Sequence, residues 1–107
     1  AEMNQVWAHD DNVVCIHPGW QIRRGWDYVR SSWEAIFRNT DYIEFKITDV
    51  DVSITEQCAR VVCVENLRSA ISGDVTSTRV LATNIYVRRD NVWLMVHHHS
   101  SPIFSIE

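Results

Sequence analysis

Three consecutive histidines, His97, His98 and His99, end an apolar run that starts at Trp93 and is closed by Pro102. The run is internal, with an apolar strand before it, so it does not read as an expression tag. Side chains alternate along a strand, which puts His97 and His99 on one face. Two turn signals, Gly73-Asp74 and Asp90-Asn91, read as two-residue hairpin loops and fix a register for the strands they join. That register sets Cys63 opposite Asn84 and Asn84 opposite His97. It sets Glu65 opposite Ala82 and Ala82 opposite His99. Glu65, Asn84, His97 and His99 then cluster on one face of three strands, since opposed residues lie about 5 Å apart at Cβ and diagonal ones about 7–8 Å.

Imidazole titrates near neutrality, and burial tunes a carboxyl group. The catalytic candidates are therefore Glu65, His97 and His99. Glu65 would orient or accept a proton, a histidine would shuttle it, and Asn84 would hold a substrate oxygen. The same cluster is equally a satisfied hydrogen-bond network that fixes the sheet or a dimer. His97, His99 and Glu65 are also zinc-ligand types, but no tight Cys/His spacing accompanies them, and no metal or cofactor is expected. His17 and Trp20 join the ligand-binding candidates, because the Pro18-Gly19 turn at a strand end fixes where both point. His17 has the plain alternative of a strand-end imidazole bonded to a nearby carbonyl.

The elements that position these groups follow from periodicity. Met3, Val6 and Trp7 mark one helical stripe within residues 1–8. Val13 to His17 reads as a short strand. Gly25 to Asn39 is the clearest helix, with Val29, Trp33, Ile36 and Phe37 on one face and Arg30, Glu34 and Arg38 on a solvated one. Tyr42 to Thr55 alternates strictly, but the phase slips at Thr48-Asp49 and predicts a β-bulge. Three strands follow: 57–72, 75–89 and 92–99. Val62, Val64, Leu81, Ile85, Val87, Leu94 and His98 fall on the second sheet face, which is nearly all apolar. A face of that kind predicts a homodimer.

The 107 residues bound one domain, 1–107. A net charge of −4 does not favour nucleic acid or an anionic membrane surface. No apolar run is long enough to span a bilayer, and no leader is read. Cys15, Cys58 and Cys63 are an odd set without Cys-x-x-Cys spacing, so they read as reduced thiols in a cytoplasmic protein.

The segments Cys15-Ile16-His17-Pro18-Gly19-Trp20, Gly25-Trp26, Ser32 to Phe37, Ala82-Thr83-Asn84 and His97-His98-His99-Ser100-Ser101-Pro102 occur in an order and spacing that resembles the SnoaL-like domains of the nuclear transport factor 2-like superfamily. The resemblance spans the whole chain. It implies an α+β, cystatin-like cone: a curved, mostly antiparallel sheet wrapped around helices, with a pocket inside. Such domains usually open with a longer helical region, of which only the tail is read here, a truncated N-terminal helix. Function is not implied by the fold, because the superfamily holds isomerases, cyclases, hydrolases, association domains and transport factors. The expectation is a pocket for a small hydrophobic ligand lined by His17, Trp20, Glu65, Asn84, His97 and His99. Acid/base chemistry on a hydrophobic carbonyl compound and a non-catalytic association role are the alternatives.

Overall fold

Four long strands dominate the fold, as the alternating segments require. The computed structural model of the chain describes residues 2–104. In chain order the elements are α1 (Glu2–Val6), β1 (Val14–Ile16), β2 (Arg23–Arg24), α2 (Trp26–Arg38), β3 (Tyr42–Thr55), β4 (Cys58–Ile71), β5 (Asp74–Arg89) and β6 (Val92–Pro102). They build one six-stranded sheet in the order β2-β1-β6-β5-β4-β3. Only β1 runs parallel to its long neighbour, β6; the other pairings are antiparallel.

The phase slip in β3 is a bulge. The register jumps between Thr48 and Asp51, and Asp49 sits at φ 52°. Ile47 lies opposite Glu65 and Val52 opposite Val61, so the apolar residues before and after the slip share one face. The extra residue also bends the strand.

Helix α2 forms where its apolar spacing and its charges agree. Asp27 lies in the first turn and Arg38 in the last, each matched to the adjacent end of the helix dipole. The chain enters the helix through Gly25 at φ 85°, a conformation that L side chains rarely adopt. The Gly25 N–H donates to the Val13 carbonyl at 2.9 Å, which ties the helix start to β1. Val29 is fully buried, Trp33 and Ile36 are half-buried, and Ser32 joins them on the inner face. Phe37 stays 42% exposed because α2 packs on β1 and β2, at the edge of the sheet remote from β3. Trp7, Ala8, Val13, Cys15, Val29 and Met95 form the core. Trp7 bridges to Met95, and the Ala8 N–H donates to the Met95 carbonyl at 3.0 Å. Complete burial of a side chain such as Val29 stabilises by roughly 1.5–3 kcal/mol.

Two register expectations need correction. The β4–β5 loop is Ser72-Gly73, with φ 52° and 86°, not Gly73-Asp74. Pairing therefore moves by two residues: Asn84 lies opposite Val61, Glu65 opposite Val80 and Cys63 opposite Ala82. A shift of two leaves every face as expected. The β5–β6 loop is Asp90-Asn91 as read, and Arg89 pairs with Val92. A second bulge then intervenes between Ile85 and Tyr86, where Met95 and His97 take consecutive partners and Val96 is the extra residue. That shift of one reverses every face beyond it. His98, not His97, lies opposite Asn84, while His97 and His99 lie opposite Ile85 and Thr83 on the other surface. The strand β2, two arginines long, was also invisible to periodicity.

Candidate functional site

The buried polar groups sit where β1, β5, β6 and α2 meet. His17 is 3% exposed, Ser32 4%, Asn84 7%, His98 5% and Ser100 4%. Residues Cys15 and His98 are register partners across β1 and β6. Turn residues after β1 bring His17 back over α2, and its ring packs edge-on against Trp20 and Trp33, with centroids 4.9 and 4.6 Å away. The His98 ring lies 6.3 Å from that of His17 and 5.8 Å from that of Trp33.

Each buried imidazole has its proton fixed by one partner. Asn84 Oδ1 is an acceptor only, so the His98 proton sits on Nδ1 and donates to it. Ser32 Oγ–H donates to the Val29 carbonyl at 2.7 Å, so Ser32 Oγ receives the His17 Nε2–H at 2.9 Å. The two rings thus hold opposite tautomers; His98 keeps one bare nitrogen, while His17 Nδ1 lies 4.0 Å from Cys15 Sγ, whose protonated thiol can donate to it. Burial above all keeps them neutral. It lowers His98 to about 4, with the neighbouring imidazoles adding to the effect. It lowers His17 to about 4, with help from the Arg23 guanidinium.

Glu65 extends from β4 into the same space. Burial raises its carboxyl above the usual range, and it makes no hydrogen bond or ion pair among the described residues. Cys15, fully buried beside His17, has its thiol pushed up to about 12 by burial and then by Glu65, so it is no nucleophile. All three cysteines are free.

These groups line two small chambers and an outer groove. One chamber, about 170 Å³, is walled by His17, Trp20, Trp33, Phe45, Glu65, His98 and Ser100, among others. The second, about 220 Å³, includes Trp7, Trp33, Phe45, Glu65, Asn84 and His98. The groove, about 620 Å³, lies between α1, α2 and β3 and shares Trp33 and Phe45 with both. Its walls include Met3, Val6, Phe37 and Ile43, together with the polar side chains of Asn4, Arg30 and Glu34.

Of the residues singled out by sequence, His17, Trp20, Glu65 and Asn84 come together here. His97 and His99 do not; they belong to the opposite surface, as the β6 bulge dictates. His97, His99 and Glu65 consequently cannot share a metal ion, and no three His, Cys, Asp or Glu side chains converge for one among the described residues. His98 and Ser32 were missed. A polar residue three positions from Val29 on an apolar helix face was the available signal for Ser32. No comparable signal existed for His98.

Comparison with known proteins follows the same lines. The profile of the SnoaL-like domain family matches residues 1–105. A candidate dehydratase of the NTF2-like family from Streptomyces avermitilis is 38% identical, with a TM-score of 0.84, over 87% of this chain and 69% of that one. A candidate calcium/calmodulin-dependent protein kinase type II association domain from Thiobacillus denitrificans is 33% identical, with a TM-score of 0.81, over 95% of this chain and 79% of that one. F-box protein SKIP8 of Arabidopsis thaliana is 30% identical over 92% of this chain, which spans only 40% of its length.

Proposed function

The chain belongs to the SnoaL-like domain family, and from that footing we propose that it holds a small, mostly apolar molecule inside the cone. The ligand's polar end reaches Glu65, Asn84 and His98. One observation carries this reading: His98 is a buried, neutral imidazole whose tautomer is fixed by Asn84, in a cavity it shares with an unpartnered carboxyl group. Buried polar groups without protein partners are costly unless something else satisfies them, and a ligand of this kind would do so. The Asn84 amide nitrogen, free of other bonds among the described residues, is a donor for a ligand oxygen. The same set is suited to proton transfer, with Glu65 and the bare His98 nitrogen as the two groups that exchange a proton with the ligand. Kinship at 38% identity with a candidate dehydratase favours that extension.

Titration with the neutral fluorescent probe N-phenyl-1-naphthylamine tests the reading. His98→Ala and Trp33→Ala are expected to weaken probe binding by about tenfold or more, which corresponds to about 1.4 kcal/mol, whereas His97→Ala and His99→Ala leave it unchanged. Equal effects of His97→Ala and His98→Ala would remove the basis of the proposal.

A second reading concerns self-association. The outer sheet face carries Val62, Val64, Leu81, Ile85 and Leu94 with His97 and His99 beside them, and Leu81 is 45% exposed. Similarity to a kinase association domain at 33% identity favours a second copy on this face, as a homodimer. In sedimentation, a charge at Leu81 (Leu81→Glu) should convert a dimer to a monomer. A wild-type chain that sediments as a monomer at high concentration contradicts this reading.

A further inference from the structure

The smaller chamber differs from an ordinary polar pocket in what its walls have left to offer. Its polar side chains, the indoles apart, are His17, Glu65, His98 and Ser100. The His17 proton goes to Ser32 and the His98 proton to Asn84. The Ser100 hydroxyl is directed at the Ile16 carbonyl, 3.4 Å away. These three hydrogens are spent on the protein, so His98 and Glu65 present lone pairs, while the donors left free in the walls are the Trp33 indole N–H and, in the second chamber, the Trp7 indole N–H and the Asn84 amide. A molecule that reaches His98 and Glu65 must bring hydrogens for them.

Charge narrows the choice further. No lysine or arginine lines either chamber. Arg23 lies against the Trp20 ring with its guanidinium carbon 5.3 Å from the centroid, and Arg30 lines the outer groove; neither is part of a chamber wall. Glu65 has no counter-ion, and a buried carboxylate is costly without one. The walls around it are aromatic, with Trp20, Trp33 and Phe45 in one chamber and Trp7, Trp33 and Phe45 in the other. Aromatic faces attract cations through the ring quadrupole. The chain's net charge of −4 acts in the same sense at longer range.

We infer that the inner cavity selects a small organic cation, a protonated amine on a compact apolar body, whose ammonium group donates to Glu65 and to the bare His98 nitrogen. This rests on the proposed ligand pocket and names the chemistry of its ligand. An ammonium supplies the counter-ion that Glu65 lacks and a hydrogen for the bare His98 nitrogen. A carboxylate ligand would find the indole N–H groups and the Asn84 amide, but it would also meet Glu65, which carries charge of the same sign when ionised.

Displacement of the bound neutral probe by three molecules of one shape decides the matter: cyclohexylammonium, cyclohexanol and cyclohexanecarboxylate, at neutral pH. The amine is expected to displace the probe at a concentration about tenfold or more below that of the alcohol, with the carboxylate weakest. Glu65→Gln should bring the amine to within about threefold of the alcohol, a ratio that is read within one folded variant. An alcohol or carboxylate as effective as the amine in the wild-type chain overturns the inference, as does a preference that persists in Glu65→Gln. Should that variant fail to fold, the wild-type ranking still decides. If the probe itself does not bind, the ligand pocket falls and this inference with it; if the probe binds and the amine is not preferred, only this inference falls.

Discussion

The behaviour of His98 is governed by a single acceptor atom. Asn84 Oδ1 carries no charge, so it fixes the tautomer without stabilising the imidazolium, and burial then holds the ring at about 4. Exchange of that acceptor for a charged one isolates the effect. In Asn84→Asp the carboxylate keeps the hydrogen bond and adds an opposite charge, which favours the protonated ring. The His98 pKa should rise by about 1–3 pH units, followed by NMR titration of the ring protons. An unchanged value would mean that the ring does not touch residue 84. Asn84→Leu has the reverse character: it strands a buried N–H and should cost about 1–3 kcal/mol in a denaturant melt. His97 should respond to neither change, because it lies across the sheet opposite Ile85.

At the level of elements, two bulges made the difference between what could be read and what could not. The bulge in β3 was legible because Ile43, Phe45 and Ile47 fall on odd positions and Val50, Val52 and Ile54 on even ones. An apolar face that changes parity announces an inserted residue. The bulge in β6 falls beside three identical side chains, and His97-His98-His99 looks the same whichever parity is buried. The helix α2, all four long strands and the Asp90-Asn91 turn were likewise set by periodicity and turn chemistry. The Ser72-Gly73 turn was misjudged because Gly73-Asp74 and Ser72-Gly73 both place a glycine in the loop. Its actual geometry makes a prediction. Ser72 and Gly73 both hold positive φ, the pattern for which Asn-Gly is the strongest pair. Ser72→Asn should stabilise the chain by about 0.5 kcal/mol, and Gly73→Ala, with no contact within 4 Å but a strained φ of 86°, should destabilise it by about 1 kcal/mol. Thermal melts of the two variants should move in opposite directions, and a shift of both the same way would exclude this turn type.

For the molecule as a whole, the two buried imidazoles link folding to pH. Both are lowered from 6.5 to about 4 in the folded chain. In the unfolded chain they take a proton near 6.5, so between these values the unfolded state binds more protons. Their contribution is complete above pH 6.5 and is lost as the pH falls toward 4. Each imidazole is worth on the order of 3 kcal/mol over that window, from about 1.36 kcal/mol per pH unit, and the two are not additive because each disfavours the other's charge. Glu65 acts oppositely. Its folded carboxyl is raised by burial, so its contribution is present in acid and is lost as the pH rises through the folded pKa. The imidazoles should dominate, since two rings of 3% and 5% exposure stand against one half-buried carboxyl. Urea melts at steps between pH 7 and 4 should show a steep fall in stability, and His98→Phe, which keeps a ring but cannot take a proton, should flatten it. A melt that is level across that interval, or a His98→Phe curve parallel to the wild type, would mean that the imidazoles are not held neutral in the folded chain and that the cavity is wetter than its geometry requires.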